Sequence, residues 1–215
     1  MTSKNIAVVD YGMGNLHSVA KALQHAKPEY RVQISSDADV IRKADSVVVP
    51  GVGAIRDCMA GMKSAEVDQV IKEIATEKPM LGICIGMQTL MQTSEENGGV
   101  ECLNLIPGDV RGFGYVTDDQ GERLKVPHMG WNNVYQRERH AIWNKIEDGS
   151  RFYFVHSYFV HCDIESHVLG STTYGTPFDA VIHKENIVAT QFHPEKSSTA
   201  GIQLLKNFLE WDGSH

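Results

Sequence analysis

The chain is short of several things, and each shortage removes a class of function. It has no run of about 18 apolar residues, so nothing in it reads as a membrane span. Basic runs are missing and the formal net charge is −7, which argues against nucleic acid as a principal partner. The four cysteines (Cys58, Cys84, Cys102 and Cys162) form no CxxC pair and match no disulfide framework. The histidines include no HExxH or Cys/His ligand spacing, so no metal site is expected. His156 and His161, in one strand-like stretch, are expected on opposite faces. The apolar stretch near the N-terminus is too short for an export leader, and no small-residue cleavage site follows. A reducing cytoplasm and free thiols are therefore expected. There is no internal repeat and no low-complexity tract.

What is present is ordinary globular composition, 42% hydrophobic and 22% charged over 215 residues. That length supports one sizeable core, so residues 1–215 are expected to form a single domain. The first half alternates strand and helix. IAVVDY (6–11), RVQIS (31–35), SVVVPG (46–51) and PMLGIC (79–84) read as strands. Residues 14–26 read as an amphipathic helix, 54–77 as helix with a break near Lys63, and IGMQTLMQ (85–92) as the start of another helix. The second half brings short strands separated by turn signals, a hairpin turn at 184–186 and a final helix over 199–211; the last residues, WDGSH, read as a frayed end. This order predicts right-handed βαβ units with a parallel core and an antiparallel extension.

GICIGMQ places Cys84 between two glycines, at the end of a predicted strand and the start of a helix. That is the G-x-nucleophile-x-G form of a nucleophile elbow, in which glycines make room for a sharp, strained turn. Free N–H groups and the dipole at the helix start favour a thiolate there, and the N–H of Ile85 can hold an oxyanion. The alternative is a structural cysteine in a βα turn. Downstream, QFHPEKS (191–197) sets His193 and Glu195 two apart around Pro194. In extended geometry both face one side, as base and orienting acid for a thiol. PGVG (50–53) ends a strand expected beside the elbow strand, where small residues let backbone N–H groups approach a carbonyl; an ordinary Gly-rich turn is the alternative. Gly12-x-Gly14 opens a helix after a strand, but the third glycine position of a dinucleotide fingerprint holds His17.

GICIGMQ, PGVG and HPEKS, in this order and spacing, resemble the class I (triad) glutamine amidotransferases, over nearly the whole chain. DYGMGN (10–15), PHMGWN (127–132) and FVHSY (154–158) resemble the branch of that family that works with a (β/α)8-barrel cyclase subunit in histidine biosynthesis. Ile85 and Ile55 stand where Leu and Phe are expected, apolar swaps that put nothing catalytic in doubt. The resemblance implies an α/β, flavodoxin-like class I glutamine amidotransferase fold: a mixed, mostly parallel central sheet with helices on both faces. It implies hydrolysis of glutamine to glutamate and ammonia, with no cofactor, inside a heterodimer with the cyclase. It assigns Cys84, His193 and Glu195 to catalysis, and the N–H groups of Ile85 and of Val52 or Gly53 to the oxyanion hole. Gly51, Gln88, Glu96, Ser157 and Tyr158 go to glutamine binding. Asn15, Trp131, Tyr153 and Lys196 go to the partner surface. In this family the hydrolysis is low until the cyclase binds its ligand, and the PGVG strand, with glycine on both sides of Val52, is the expected switch. Read without the resemblance, Glu95-Glu96-Asn97 is an exposed acidic loop, Trp131 is core, and Tyr153 is one of several aromatics on a buried strand. Three rivals remain: a cysteine peptidase on a similar fold, an amidotransferase subunit of another pathway, and a catalytically dead binding module. The first leaves PHMGWN unexplained, the second the KS after HPE together with FVHSY, and the third the intact Cys84, His193 and Glu195.

Overall fold

The computed structural model describes residues 3–214. The first half runs β1 (Asn5–Val9), α1 (Leu16–Ala26), β2 (Arg31–Ser35), α2 (Ala38–Lys43), β3 (Ser46–Gly51), α3 (Ile55–Ser64), α4 (Val67–Ile74), β4 (Met80–Cys84) and α5 (Ile85–Gln88). The second half holds β5 (Thr93–Ser94), β6 (Val100–Glu101), β7 (Gly108–Gly112), β8 (His128–Asn133), β9 (Tyr135–Gln136), β10 (Arg151–His156), β11 (Tyr158–Cys162), β12 (Val168–Tyr174), β13 (Thr176–Lys184), β14 (Ile187–Thr190) and α6 (Ser198–Glu210).

The main sheet has the order β2-β1-β3-β4-β14-β13-β11-β7-β5-β6, with β12 on β13 and β9 on β12. From β2 to β14 all pairings are parallel; β13, β11 and β7 add antiparallel strands. The mixed sheet and its parallel core match the expected fold class. β3 and β4 read as continuous apolar runs because both of their faces are covered, and every residue of both is buried. The chain moves from β1 to β2 in one direction and from β2 over β1 to β3 in the other. Right-handed crossovers then place α1 on one face and α2, α3 and α4 on the opposite face. Accordingly α1 packs with α6, while α4 packs with α2 and α3. A separate two-stranded sheet pairs β8 with β10 in antiparallel register, Trp131 opposite Tyr153 and His128 opposite His156.

Several elements differ from the sequence expectation. The first strand ends at Val9; the long helical stretch does break close to Lys63, at Ala65–Glu66, where Glu66 takes φ +56°. The helix after the elbow is one turn, not the start of 85–92. The carbonyls of Thr89, Leu90 and Met91 accept N–H groups from Leu103 to Ile106 instead of continuing the helix. RFYFVHSYFVHC is two strands in two sheets, joined by Ser157. The C-terminal stretch is not frayed over its described part: Trp211 is buried and its Nε1 donates to the Ser214 carbonyl at 2.6 Å; His215 lies outside the described residues. Among the described residues no helix is long and apolar enough to cross a membrane.

Candidate active site

β3 and β4 end side by side, Gly51 opposite Cys84, and β14 lies on the other side of β4 with Thr190 opposite Ile83. Three carboxyl ends therefore meet at one edge, the edge at which open α/β sheets bind ligands. Cys84 sits there at φ +55°, ψ −112°, outside the ordinary regions for a residue with a side chain. Strain of this kind is of the order of 1–3 kcal/mol and is sustained only by surrounding packing. A Cβ on Gly86 would lie 1.8 Å from the Val49 carbonyl oxygen; on Gly82 it would meet Ala189 Cβ at 3.0 Å. The second glycine of the elbow is thus obligatory and the first only tight. Because α5 is a single turn, little macrodipole reaches Cys84; what remains is the free N–H groups of that turn.

His193 and Glu195 do not lie on an extended strand. His193 precedes a 3-10 turn, Pro194–Lys196, and the turn folds the Glu195 carboxylate back so that Oε1 is 2.9 Å from His193 Nδ1. Both side chains are almost fully buried, 3% and 1% exposed. The turn is locked from outside. His193 N–H donates to the Tyr153 carbonyl at 2.9 Å, the Tyr153 N–H donates to Ser197 Oγ at 2.9 Å, and Ser197 Oγ donates to the His193 carbonyl at 2.7 Å. Burial alone would lower the His193 pKa. Contact with the Cys84 sulfur and with the Glu195 carboxylate outweighs it and holds the ring up at about 10, so His193 stands as an imidazolium near neutrality. Its Nε2 makes no well-aligned hydrogen bond to protein, although Cys84 acts on the ring electrostatically. Such contacts are commonly loose before substrate tightens them.

Cys84 and His193 open on a cleft of about 320 Å³, walled also by Val52, Gly53, Ile85, Gln88, Glu96, Ser157, Tyr158 and Lys196. Glu195 lies behind His193 rather than in the wall. Gly51 is buried, pressed against Gly86 and the Tyr11 hydroxyl, and is not part of the wall either. Gln88 is fully buried; its Nε2 donates to the Tyr158 carbonyl at 2.9 Å and to Gln191 Oε1 at 3.1 Å, while its Oε1 accepts nothing from protein. Glu96 is not on the helix after the elbow but on the 3-10 turn Glu96–Gly98, and its Oε2 accepts the first N–H of α3, from Ile55, at 3.2 Å. The carboxylate therefore faces the cleft and is half-buried, whereas its neighbours Glu95 and Asn97 are exposed.

Three residues escaped the sequence reading. Gln191 Nε2 approaches Cys84 Sγ at 3.9 Å and is fully buried. Tyr11 donates its hydroxyl to the Pro50 carbonyl, and Cys58 Sγ donates to the Val52 carbonyl at 3.5 Å. These two bonds anchor the peptides on either side of Gly51–Val52. Gln191 and Tyr11 both stand in quoted motifs, QFHPEKS and DYGMGN, but nothing there marked their roles; nothing in the sequence pointed to Cys58, whose partner is the Val52 carbonyl six residues upstream.

Trp131 is 43% exposed, so it is not core, and it meets the Tyr153 ring edge-on at 6.0 Å. Tyr153 and Asn15 are half-buried, Asn15 at the N-cap of α1, and Lys196 is exposed at the cleft. Val52, Met129, Trp131 and Tyr115 are among the exposed large hydrophobic residues. His161 is exposed on β11, while His156 ends β10 and is buried. Among the described residues no group of His, Cys, Asp or Glu side chains is placed to hold a metal ion.

Residues 7–211 match the family described as Glutamine amidotransferase class-I. The chain is similar to the imidazole glycerol phosphate synthase subunit HisH 1 of Pseudomonas aeruginosa, 55% identical over 210 residues that cover 98% of each chain. To the HisH subunit of Acinetobacter baylyi it is 54% identical, over 96% of this chain and 98% of that one. Among solved structures it is similar in fold to PurLQS from Thermotoga maritima, with a TM-score of 0.72 at 17% identity over 97% of this chain and 99% of that one. A glutamine amidotransferase of the same organism gives a TM-score of 0.64 at 15% identity, over 98% of each chain.

Proposed function

Because the chain belongs to the class-I glutamine amidotransferases, and within them to the HisH subunits of imidazole glycerol phosphate synthase, we propose that its cleft hydrolyses glutamine and feeds the ammonia to a partner cyclase. The products of the joint reaction are imidazole glycerol phosphate and an aminoimidazole carboxamide ribotide, in histidine biosynthesis. One observation carries the assignment to this cleft: a strained elbow cysteine faces a buried His–Glu pair at the meeting point of three strand ends.

Cys84 Sγ attacks the side-chain carbonyl carbon of glutamine, its proton held on His193. The carbonyl oxygen becomes an oxyanion, received by the N–H of Ile85 and by the N–H of Val52 or Gly53. One such donor is worth about 3–4 kcal/mol of barrier. His193 gives its proton to the leaving nitrogen, ammonia departs, and a thioester remains. Water then gives its proton to His193 and its oxygen to the carbonyl carbon, and the sulfur leaves as glutamate forms. Glu195 keeps the ring oriented throughout and stabilises its charged form before the proton leaves and after it returns. Glu96 takes the substrate α-ammonium, the backbone at Ser157 and Tyr158 meets its carboxylate, and Gln88 Oε1 is free to accept from the substrate. Gly51 acts by bringing β3 close to the elbow, not by contact. The Gly51–Val52 peptide, between the Tyr11 and Cys58 anchors, is the one we assign to the switch.

The whole chain, 1–215, serves as one amidotransferase domain. Its partner is a (β/α)8-barrel that covers the cleft side, meeting Trp131, Tyr153, Asn15 and Lys196 in a heterodimer. Aromatic anchors suit such a surface. The pair works in the cytoplasm, where the free thiols stay reduced.

The test is glutamate release from glutamine by the chain alone, with the cyclase subunit, and with the cyclase plus its ligand, with Cys84→Ala as control. Weak release alone, a large rise in the full mixture and none in the mutant are expected. Release that persists in Cys84→Ala, or none in a complex shown to form, overturns the reading.

A further inference from the structure

His128 and His156 are register partners across β8 and β10, 3% and 5% exposed, in a cage of rings. Tyr174 stacks on His128 at 4.1 Å and Phe154 at 4.9 Å, while Phe113 and Phe178 stand edge-on to it. An aromatic cage gains nothing from two imidazoles over two phenyl rings unless their polar atoms are used. Here each one is. His156 Nδ1 lies 2.8 Å from the Tyr158 carbonyl, which can only accept, so Nδ1 carries the hydrogen. Burial keeps both rings neutral, lowering His128 to about 4 and His156 to about 3. His156 Nε2 is therefore bare and accepts from His128 Nδ1 at 2.9 Å. His128 Nε2 is bare in turn and faces the Asn132 amide nitrogen at 3.5 Å, the longest link. One tautomer on each ring satisfies the whole series, and its direction is set by the carbonyl at the end.

That carbonyl is also where a second arm arrives. Gln88 donates to it at 2.9 Å and to Gln191 at 3.1 Å, and Gln191 reaches Cys84 Sγ at 3.9 Å. Ser157, the joint between the two sheets, has its own carbonyl held by Phe113 N–H at 3.2 Å. The Tyr158 N–H, in the same trans peptide, must point the opposite way. Along β8 the pattern alternates: His128 and Asn132 turn inward, Met129 and Trp131 turn out to solvent.

We propose that His128 and His156 are positioning residues, a directed hydrogen-bond relay that holds the Ser157–Tyr158 backbone for the glutamine head group and ties it to the strand bearing Trp131. The proposal rests on the glutaminase reading of the same cleft. His156 borders the cleft, but neither histidine bonds the reacting atoms; the relay acts through the Tyr158 carbonyl.

The test measures kcat and KM for glutamine in the complex of the chain with cyclase and its ligand, with melting temperatures alongside. His156→Leu removes the bond and should raise KM about tenfold, about 1.4 kcal/mol, with kcat within about twofold. His156→Asn can still reach the carbonyl through Nδ2 and should stay within about threefold of wild type. His128→Phe fits the cage, strips His156 of its donor, and should raise KM about threefold to tenfold. Should His156→Leu fail to fold, His128→Phe carries the test. The relay is overturned if KM is unchanged while only the melting temperature falls, if the loss is in kcat alone, or if His156→Asn is as damaging as His156→Leu. A wild-type complex that releases no glutamate removes the glutaminase reading itself; a working wild type with every variant at its KM removes only the relay.

Discussion

Gly86→Ala is the sharpest perturbation the elbow offers. The added methyl would sit 1.8 Å from the Val49 carbonyl oxygen and 2.9 Å from its carbon. Real Cβ atoms essentially never come under 3.0 Å, so β3 and α5 must part by at least about 1.2 Å. Both contacting groups are main chain, and Val49 lies inside a fully buried strand, so no rotamer change can absorb the conflict. Overpacking costs about 1–3 kcal/mol when side chains can yield, and the upper end applies here. At this chain length about 3 kcal/mol lowers the melting temperature by about 6–12 °C. The catalytic loss should be larger than the loss of stability suggests. α5 begins at Ile85 and β3 leads into Val52, the two proposed oxyanion donors, and a misplacement of about 1 Å can cost about 100-fold. Glutamate release by the complex and a thermal melt of the isolated chain measure the two effects separately. Gly82→Ala is the internal control, since its methyl would meet Ala189 Cβ at 3.0 Å, and the Gly86 carbonyl oxygen and the movable end of Leu90 at 3.1 Å, all far looser than 1.8 Å. It should cost less than about 1 kcal/mol more than an ordinary core substitution of one methyl group. A Gly86→Ala protein with wild-type melting temperature and kcat, or a Gly82→Ala protein that is the more damaged of the two, refutes the steric argument.

Four more outcomes follow from the same geometry. The raised His193 pKa makes that residue's contribution to stability complete below its unfolded value of about 6.5 and lost as pH rises through about 10. Urea midpoints of wild type and His193→Gln should differ most below about pH 6.5 and converge above about 10; a constant gap contradicts this. His128 and His156 work in the opposite sense, because their neutral folded forms lose stability as pH falls from about 6.5 toward 4 and 3, and His128→Phe should flatten that acid limb. Glu96→Gln keeps an acceptor for the Ile55 N–H but loses the charge, so KM for glutamine should rise about tenfold with little change in kcat; a fall in kcat alone argues against the ammonium role. Trp131→Ala should weaken cyclase binding about 30-fold, about 2 kcal/mol, while the melting temperature of the free chain hardly moves; unchanged affinity by titration removes Trp131 from the interface.

The parallel core was legible because strands buried on both faces are written as apolar runs, and the adjacency of β3 and β4 followed from their order. The elbow was legible for a similar reason: only glycine fits against the Val49 carbonyl, and the sequence shows it directly. The length of α5 was not. Thr89, Leu90 and Met91 have helical composition, but their carbonyls are taken by a segment more than ten residues downstream, and periodicity carries no record of such competition. The His193–Glu195 pairing was expected from two-residue spacing on a strand, whereas a 3-10 turn clamped by Tyr153 and Ser197 makes it. The switch of sheets at Ser157 escaped because it costs one residue and leaves the aromatic alternation of RFYFVHSYFVHC intact. Gln191 and Cys58 escaped because a buried amide and a buried thiol differ from ordinary core only in what they face.

The place of β14 has a consequence for the order in which the protein can come into being. Cys84 and Gln191 touch across 107 positions of chain, and His193 follows Gln191 directly after β14. On a ribosome the nucleophile emerges well before its base and waits for it through about half of synthesis. β14 then enters between β4 and β13, joining the parallel half of the sheet to the antiparallel half, and brings the His193 turn with it. Closing the sheet and arming the thiol are one event. A chain stalled or clipped before residue 187 lacks both β14 and His193, so it keeps an open edge on β4 and a cysteine without its base.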